Sequence, residues 1–486
     1  MVRTPRGRVL TWPVFGGISE DMSLFSLAIE CVKPLITSIV VVNAPWPVSP
    51  PVPVEQMPHY RAALALVDEG AKGNRITPAP GRFQAGWAKV ELTPPVGAPL
   101  AGYGARDGAP STGVHDPLFV KALAVGDGDD TAVIVGADML VVPENIADEV
   151  RKQVTVATGL DPGAILFNAT HTHSGGGGGM PGLLPRLFAG PYDPALPALA
   201  VRAFTAAIVN ALAAMMPARL AHGSADAGRF IRNRARSGDA DGSLRWLVVE
   251  RESGERCIVT RFSAHATLVG SDNMQFSGDY PGYVQRILTA ETGAECLFLA
   301  GAVGSMGPAN AGGGSEFQQC ENLARGLTAL IRQGLARLTF KDAVEVAAIG
   351  VPVYFPSYDI RLSKNWRLSP VTAQLGGLDR DAWIGAVRMG DVILAGLPGD
   401  YSGELAIRMA AWAEQTHGAN LWMNSFCGDY IGYISPDAVY NDPFDHPDPN
   451  VRARSSYEVQ VMSWTGPRQE AFFNGIVKHM VQRLKG

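Results

Sequence analysis

The amino-acid sequence predicts a mixed α/β (α+β) fold, one large domain behind an N-terminal extension. Short apolar runs bounded by turn or polar residues recur at 131–138 (TAVIVGAD), 164–168 (AILFN), 296–300 and 392–395, the pattern of buried strands. Between and after them, residues 144–157, 202–216, 316–337 and 404–414 carry helical patterns. No segment repeats at a fixed period, so a solenoid or propeller is not expected.

Taken in order, residues 1–9 are basic but lead into Pro13 and a Gly-Gly pair, which is not the layout of a signal peptide. Residues 22–44 are largely apolar, yet Glu30, Lys33 and Pro34 interrupt them. A charge at the bilayer centre costs about 2.5–3.5 kcal/mol on insertion scales, so a buried helix-strand pair is expected rather than a membrane span. Pro45, Pro47, Pro50, Pro51 and Pro53 make 44–57 an extended connector and forbid a helix. Helical composition follows at 60–71, and from Gln84 strands, turns and helices alternate. The boundaries expected are therefore 1–84 for the extension and 85–486 for the domain.

In the chain of 486 residues, 47% hydrophobic and 18% charged residues with a net charge of −5 describe a globular protein and argue against a nucleic-acid partner. The 55 glycines and 35 prolines predict long shaped loops, where sites are often built. Cys31, Cys257, Cys296, Cys320 and Cys427 are scattered without a CxxC pair, so neither a disulfide framework nor a cysteine metal site is expected.

Chemistry concentrates in three segments. Asn168-Ala169-Thr170-His171-Thr172-His173-Ser174-Gly175 follows a strand, and in an extended chain residues two apart share a side, so His171 and His173 would face one cleft. One imidazole could bind a metal while the other moves protons. Spacing alone is equally consistent with two polar residues satisfied by backbone groups at a strand end. The five glycines 175–179 favour a site, because they let backbone approach a bound group closely. His265, after the strand 257–262, is the second segment; alone it reads more often as a core histidine. It leads through the turn residues 277–282 into a helix around 283–289. The third, 299–310, is a strand entering a Gly-rich loop whose N–H groups could face an oxyanion, or which is simply a tight turn.

Together these segments resemble the neutral/alkaline ceramidase family, zinc amidases that hydrolyse the N-acyl bond of ceramide. The similarity is ordered from about residue 85 to about 460. It includes 86–95 (GWAKVELTPP), Gly102-Tyr103, His115-Asp116-Pro117-Leu118, the NxTHTHSG segment and the strand ending in His265-Ala266-Thr267. The resemblance implies a Zn²⁺ held by His171, His265, Asp400 and Tyr433, with Tyr430 as a competitor for the last position. Asp400 stands where the family has glutamate, one methylene longer. It further implies His173 as acid/base, Arg234 at the substrate carbonyl and Tyr457 at the oxyanion.

One departure concerns the reacting centre. The family places a serine in its Gly-rich loop, two residues after an aspartate; here Gly307 occupies the serine's place and Ser305 the aspartate's. Zinc-activated water is therefore the expected nucleophile, acting on an amide, an ester or a lactone. A true ceramidase with Ser305 at the reacting centre is the first alternative, and a non-catalytic zinc-containing binding protein the second. The expected substrate is a small or lipid-like amide, and a peripheral membrane contact is compatible with it. Only 29 residues follow Tyr457, so the family's C-terminal immunoglobulin-like domain is expected to be missing. The compartment is not legible, secreted or periplasmic by the family resemblance or else cytoplasmic, and neither is the oligomeric state.

Overall fold

In the computed structural model, which describes residues 45–48, 52–73, 82–355, 358–375 and 381–485, two sheets stack face to face between layers of helices. The first has eight strands: β1 (Gln84–Glu91), β2 (Phe119–Gly126), β3 (Thr131–Ala137), β4 (Ile165–Ala169), β5 (Met216–Asp226), β6 (Ser243–Arg251), β7 (Arg256–Phe262) and β8 (Glu295–Ala300), in the order β8-β7-β6-β5-β1-β2-β3-β4. Its terminal pairs are parallel and its interior pairs antiparallel. The second sheet orders β9 (Val346–Tyr354), β10 (Asp381–Met389), β11 (Val392–Gly396) and β12 (Asn420–Asn424) side by side.

Strand alternation explains the layering. Leu123, Ile134, Leu247, Val259 and Leu299 point from the large sheet toward Val387, Leu394 and Trp422 of the small one. The opposite face divides between two helix pairs. Val120, Val133 and Phe167 meet α2 (Glu144–Thr158) and α3 (Ala195–Ala213), while Val248, Ile258 and Phe298 meet α4 (Asp279–Thr292) and α5 (Glu316–Leu335). The outer face of the small sheet is covered by α1 (Pro58–Gly70), α6 (Gly403–His417) and α7 (Gln469–Lys485). Ala63 and Val67 of α1 are buried there, so this helix of the 1–84 segment is built into the core of the domain.

Most predicted elements recur within a few residues of their expected ends. The helix expected at 202–216 instead spans Ala195–Ala213. Pro197 lies in its first turn, where a missing N–H is tolerated, and Asp193 Oδ1 accepts from Ala195 N at 2.9 Å. Among its described residues the proline-rich connector contains a 3₁₀ turn, Val54–Gln56, contrary to the exclusion of helix there. The pair of elements expected at 22–44 lies outside the described residues, as does Cys31. The four described cysteines are buried and unpaired.

The large sheet curves until its edges meet. Asn168, the fourth residue of β4, donates from Nδ2 to Ala300 O at 3.1 Å and Ser425 O at 2.8 Å, and its Oδ1 accepts from Ala300 N at 2.8 Å. One amide thus ties β4 to β8 and to the loop after β12, directly beneath the histidine segment. Asn168→Ala is expected to lower unfolding free energy by about 2–4 kcal/mol, since it leaves buried backbone groups unpaired; denaturant titration measures this.

Candidate metal centre

The loops at one end of the stacked sheets supply four groups of polar side chains to one place. After β4, Thr170 N still bonds to Ala137 O at 2.8 Å, and the chain then turns sharply, with His171 at φ 63°. This conformation is uncommon for a residue with a Cβ. The extended geometry expected from the spacing is therefore absent. His171 and His173 nevertheless converge, with Nε2 atoms 3.2 Å apart, because the turn at His171 swings its ring toward that of His173. Phe426, also at positive φ (61°), stacks on His171 with centroids 3.9 Å apart.

His265 follows β7 and meets the loop after β8. Its Nδ1 faces Val303 O at 2.7 Å and Met306 O at 3.2 Å, while His171 Nδ1 faces Leu140 O at 2.7 Å. Carbonyls only accept, so in both rings Nδ1 carries the proton and Nε2 presents a lone pair. The loop after β8 contributes through these carbonyls. Its N–H groups at Gly301, Val303, Gly304 and Met306 are bound to Phe262 O, Gly301 O, Tyr401 O and Val303 O, so those four are not free for the oxyanion role considered from sequence.

Asp400 enters on a two-residue strand, Asp400–Tyr401, paired in parallel with Tyr433–Ile434. Gly304 packs on it so closely that a Cβ there would lie 2.5 Å from Asp400 O. Asp400 is 1% exposed, and its Oδ1 lies 3.3 Å from His265 Nε2 and 3.6 Å from His171 Nε2. That oxygen has no hydrogen-bond partner among the described residues, whereas Oδ2 accepts from Tyr430 at 2.8 Å. Tyr433 Oη is 3.4 Å from His265 Nε2 and accepts from Arg234 Nη2 at 2.8 Å. The same nitrogen of Arg234 is 2.9 Å from His265 Nε2.

This donor set fits a divalent cation. Ring nitrogens of His171, His173 and His265 lie within 4.8 Å of one another, and two of the rings have their lone pairs fixed inward. A buried carboxylate oxygen of Asp400 without a hydrogen-bond partner among the described residues and the Tyr433 phenol stand beside them, donors of the kind such an ion takes. Burial disfavours charge on the rings: it pushes His171 down to about 3 and depresses His173 and His265, with neighbouring Arg234 acting in the same direction. Burial raises Asp400, against the pull of His171 and the Tyr430 hydrogen bond.

A pH dependence of the metal-stripped protein follows. Unfolded histidines take up protons below about pH 6.5, which the folded rings refuse until much lower pH. The stability these neutral rings contribute is therefore complete above pH 6.5 and is lost as pH falls toward 3, with a limiting slope of about 1.4 kcal/mol per pH unit for each histidine. Denaturant unfolding at pH 7.5 and 5.5 should show the loss, and His171→Gln should flatten it.

Of the other predicted residues, Tyr457 lies on the rim, 56% exposed, with its ring 6.0 Å from that of Tyr433. Ser305 is buried, with its hydroxyl donating to Glu404 Oε2 and accepting from Gly403 N at 3.1 Å, so its bonds run to the start of α6 rather than to the histidines. Glu404 is also ion-paired with Arg236 at 2.9 Å, and Arg236 in turn with Glu458 at 2.8 Å. A Cβ on Gly307 would stand in ordinary contact with the Arg234 side chain, 3.5 Å from Cδ.

The glycine run does not line the centre as expected. It packs on its own chain: a Cβ on Gly177 would lie 2.3 Å from Ala189 O. The supports that sequence reading missed are Arg106, whose Nη1 donates to His173 O, and Phe426. Tyr103, whose ring is 4.7 Å from that of His173, was in view only through the Gly102-Tyr103 motif.

A sequence profile described as neutral/alkaline non-lysosomal ceramidase, N-terminal, matches residues 83–325, half of the chain. The chain belongs to this family. Ceramidase-family membership makes it a ceramidase-like hydrolase. Among solved structures, neutral ceramidase from Pseudomonas aeruginosa matches with a TM-score of 0.71 at 18% identity, over 83% of this chain and 74% of that one. A structure described as ceramidase complexed with C2 matches with a TM-score of 0.69 at 17% identity, over 82% and 75%. At these identities the likeness establishes the ceramidase fold, as the sequence predicts. No curated protein matches the chain.

Proposed function

We propose that the protein is a zinc-dependent amidase that hydrolyses an N-acyl bond, with His171, His265, Asp400 and Tyr433 as ligands and His173 as acid/base. The supporting observation is the convergence of two carbonyl-fixed imidazole lone pairs on an unpartnered buried carboxylate oxygen. When bound, Zn²⁺ supplies a Lewis acid that polarises a carbonyl and acidifies water.

The protein's own groups divide the remaining work. His173 takes a proton from the attacking water and returns it to the leaving amine nitrogen, so that amide and water become acid and amine. Arg234, whose Nη2 donates to Tyr433 Oη, offers a fixed cation to the carbonyl oxygen, and Tyr457 a phenol donor from the rim. The same machinery serves an ester or lactone.

Metal analysis of the purified protein, with His171→Ala and Asp400→Ala, tests the reading. One zinc per chain is expected, lost in both variants together with amide hydrolysis; unchanged zinc in both overturns the ligand assignment. Robust zinc-dependent turnover in an amide and ester screen would exclude a purely binding role.

A second reading, cleavage of N-acyl sphingosine with Ser305 at the reacting centre, draws on the Ser305–Glu404 hydrogen bond. Against it, Arg236 holds Glu404 below the usual carboxylate range, despite burial, which makes it a weak base. Loss of most activity in Ser305→Ala with zinc retained would favour Ser305; no turnover of any ceramide would remove that reading.

A further inference from the structure

A cavity beside the metal centre, open to solvent, is lined by Phe188, Tyr430 and Trp464 together with Glu144, Asp381 and Asp429. Tyr430 joins cavity to centre: its ring forms a wall and its hydroxyl donates to Asp400 Oδ2. The Trp464 ring stands nearly perpendicular to it at 5.4 Å between centroids, and Phe188 flanks it at 6.4 Å. Aromatic rings and carboxylates lining one cavity can attract an organic cation, through the negative ring faces and the opposite charge.

Asp429 adds an independent observation. It is 7% exposed, its Oδ1 accepts from Tyr430 N, and its Oδ2 is buried without a hydrogen-bond partner among the described residues. Arg151, whose charge acts on Asp429, is bonded to Asp148 at 2.7 Å and lies over the Trp383 ring at 4.0 Å, and no ion pair to Asp429 is formed among the described residues. No lysine, arginine or histidine among the described residues lines the cavity. A buried carboxyl oxygen without a partner is costly, and among the described residues nothing supplies one for Oδ2, a place a cationic ligand could take.

Resting on the amidase reading above, we propose that this cavity is a subsite for a cationic group of the substrate, so that the preferred substrates are N-acyl compounds carrying an ammonium or quaternary ammonium group near the scissile amide.

The test uses choline and its neutral isostere 3,3-dimethylbutan-1-ol as probes in calorimetric titrations of the metal-loaded full chain. Choline is expected to bind at least about ten-fold more tightly than the isostere. Asp429→Asn should abolish that preference, and Phe188→Leu should reduce it several-fold. Phe188→Leu carries the test if circular dichroism shows that Asp429→Asn does not fold. In parallel, kcat/KM is compared for paired N-acyl amides differing only in a trimethylammonium or tert-butyl group, with the cationic member expected to be preferred ten-fold or more. Equal binding of the two probes, or a preference unchanged in both variants, overturns the subsite, as does equal cleavage of paired amides. Selective choline binding without cleavage of any amide supports the subsite and defeats the amidase reading instead.

Discussion

His173→Gln is expected to retain zinc and to lose kcat by about 10²- to 10⁴-fold, the usual contribution of a positioned acid/base. His171 Nδ1 donates to Leu140 O, so its Nε2 is an acceptor; the His173 Nε2 that lies 3.2 Å away is then the donor of the pair in the metal-free centre. Nε2 is the atom of this ring that faces the centre, so it is where a proton is taken up from water and returned to the leaving group during turnover. His171, His265, Asp400 and Tyr433 already offer four donors, the usual tetrahedral count, without His173. Glutamine keeps a polar group of similar reach but cannot move a proton at neutral pH. Loss of both zinc and activity would instead make His173 a ligand, and unaltered kcat would remove it from the mechanism.

Gly102→Ala is expected to strike the same imidazole without touching its chemistry. A Cβ at Gly102 would lie 2.7 Å from Cβ, Cγ and Nδ1 of His173, and Gly102 has φ 112°, a conformation that side chains rarely adopt. His173 has little room to yield, since Arg106 holds its carbonyl and the Tyr103 ring lies 4.7 Å away. Backbone strain of this kind costs about 1–3 kcal/mol, and a small displacement of a catalytic group can reduce turnover by about 10²-fold. Denaturant unfolding, zinc content and kcat measured together should show modest destabilisation, full zinc and a large fall in turnover. A variant with normal kcat would show that the His173 position is not critical.

The sequence made the core strands legible because strands buried on both faces are written as nearly continuous apolar runs, as in 131–138 and 164–168. Helix ends were less so: α3 begins earlier than its apolar pattern, because proline in a first turn stops nothing. The glycine run misled, since the same absence of a Cβ serves close approach to a ligand or to neighbouring backbone, and only the position of Ala189 O decides which.

By itself, then, the sequence determined the mixed fold and the family, together with the histidines and carboxylate that the family pattern marks. Local residue order encodes strand and motif identity, so these can be read along the chain. The tertiary structure alone decided that His171, His265, Asp400 and Tyr433, from four distant segments, share one small space, and that Leu140 and Val303 carbonyls turn their imidazoles inward. It alone placed Asp429 Oδ2, without a hydrogen-bond partner among the described residues, in a cavity shared with Phe188, Tyr430 and Trp464. These are contacts between residues dozens to hundreds of positions apart, and loop closure and packing, which no local pattern records, bring them together.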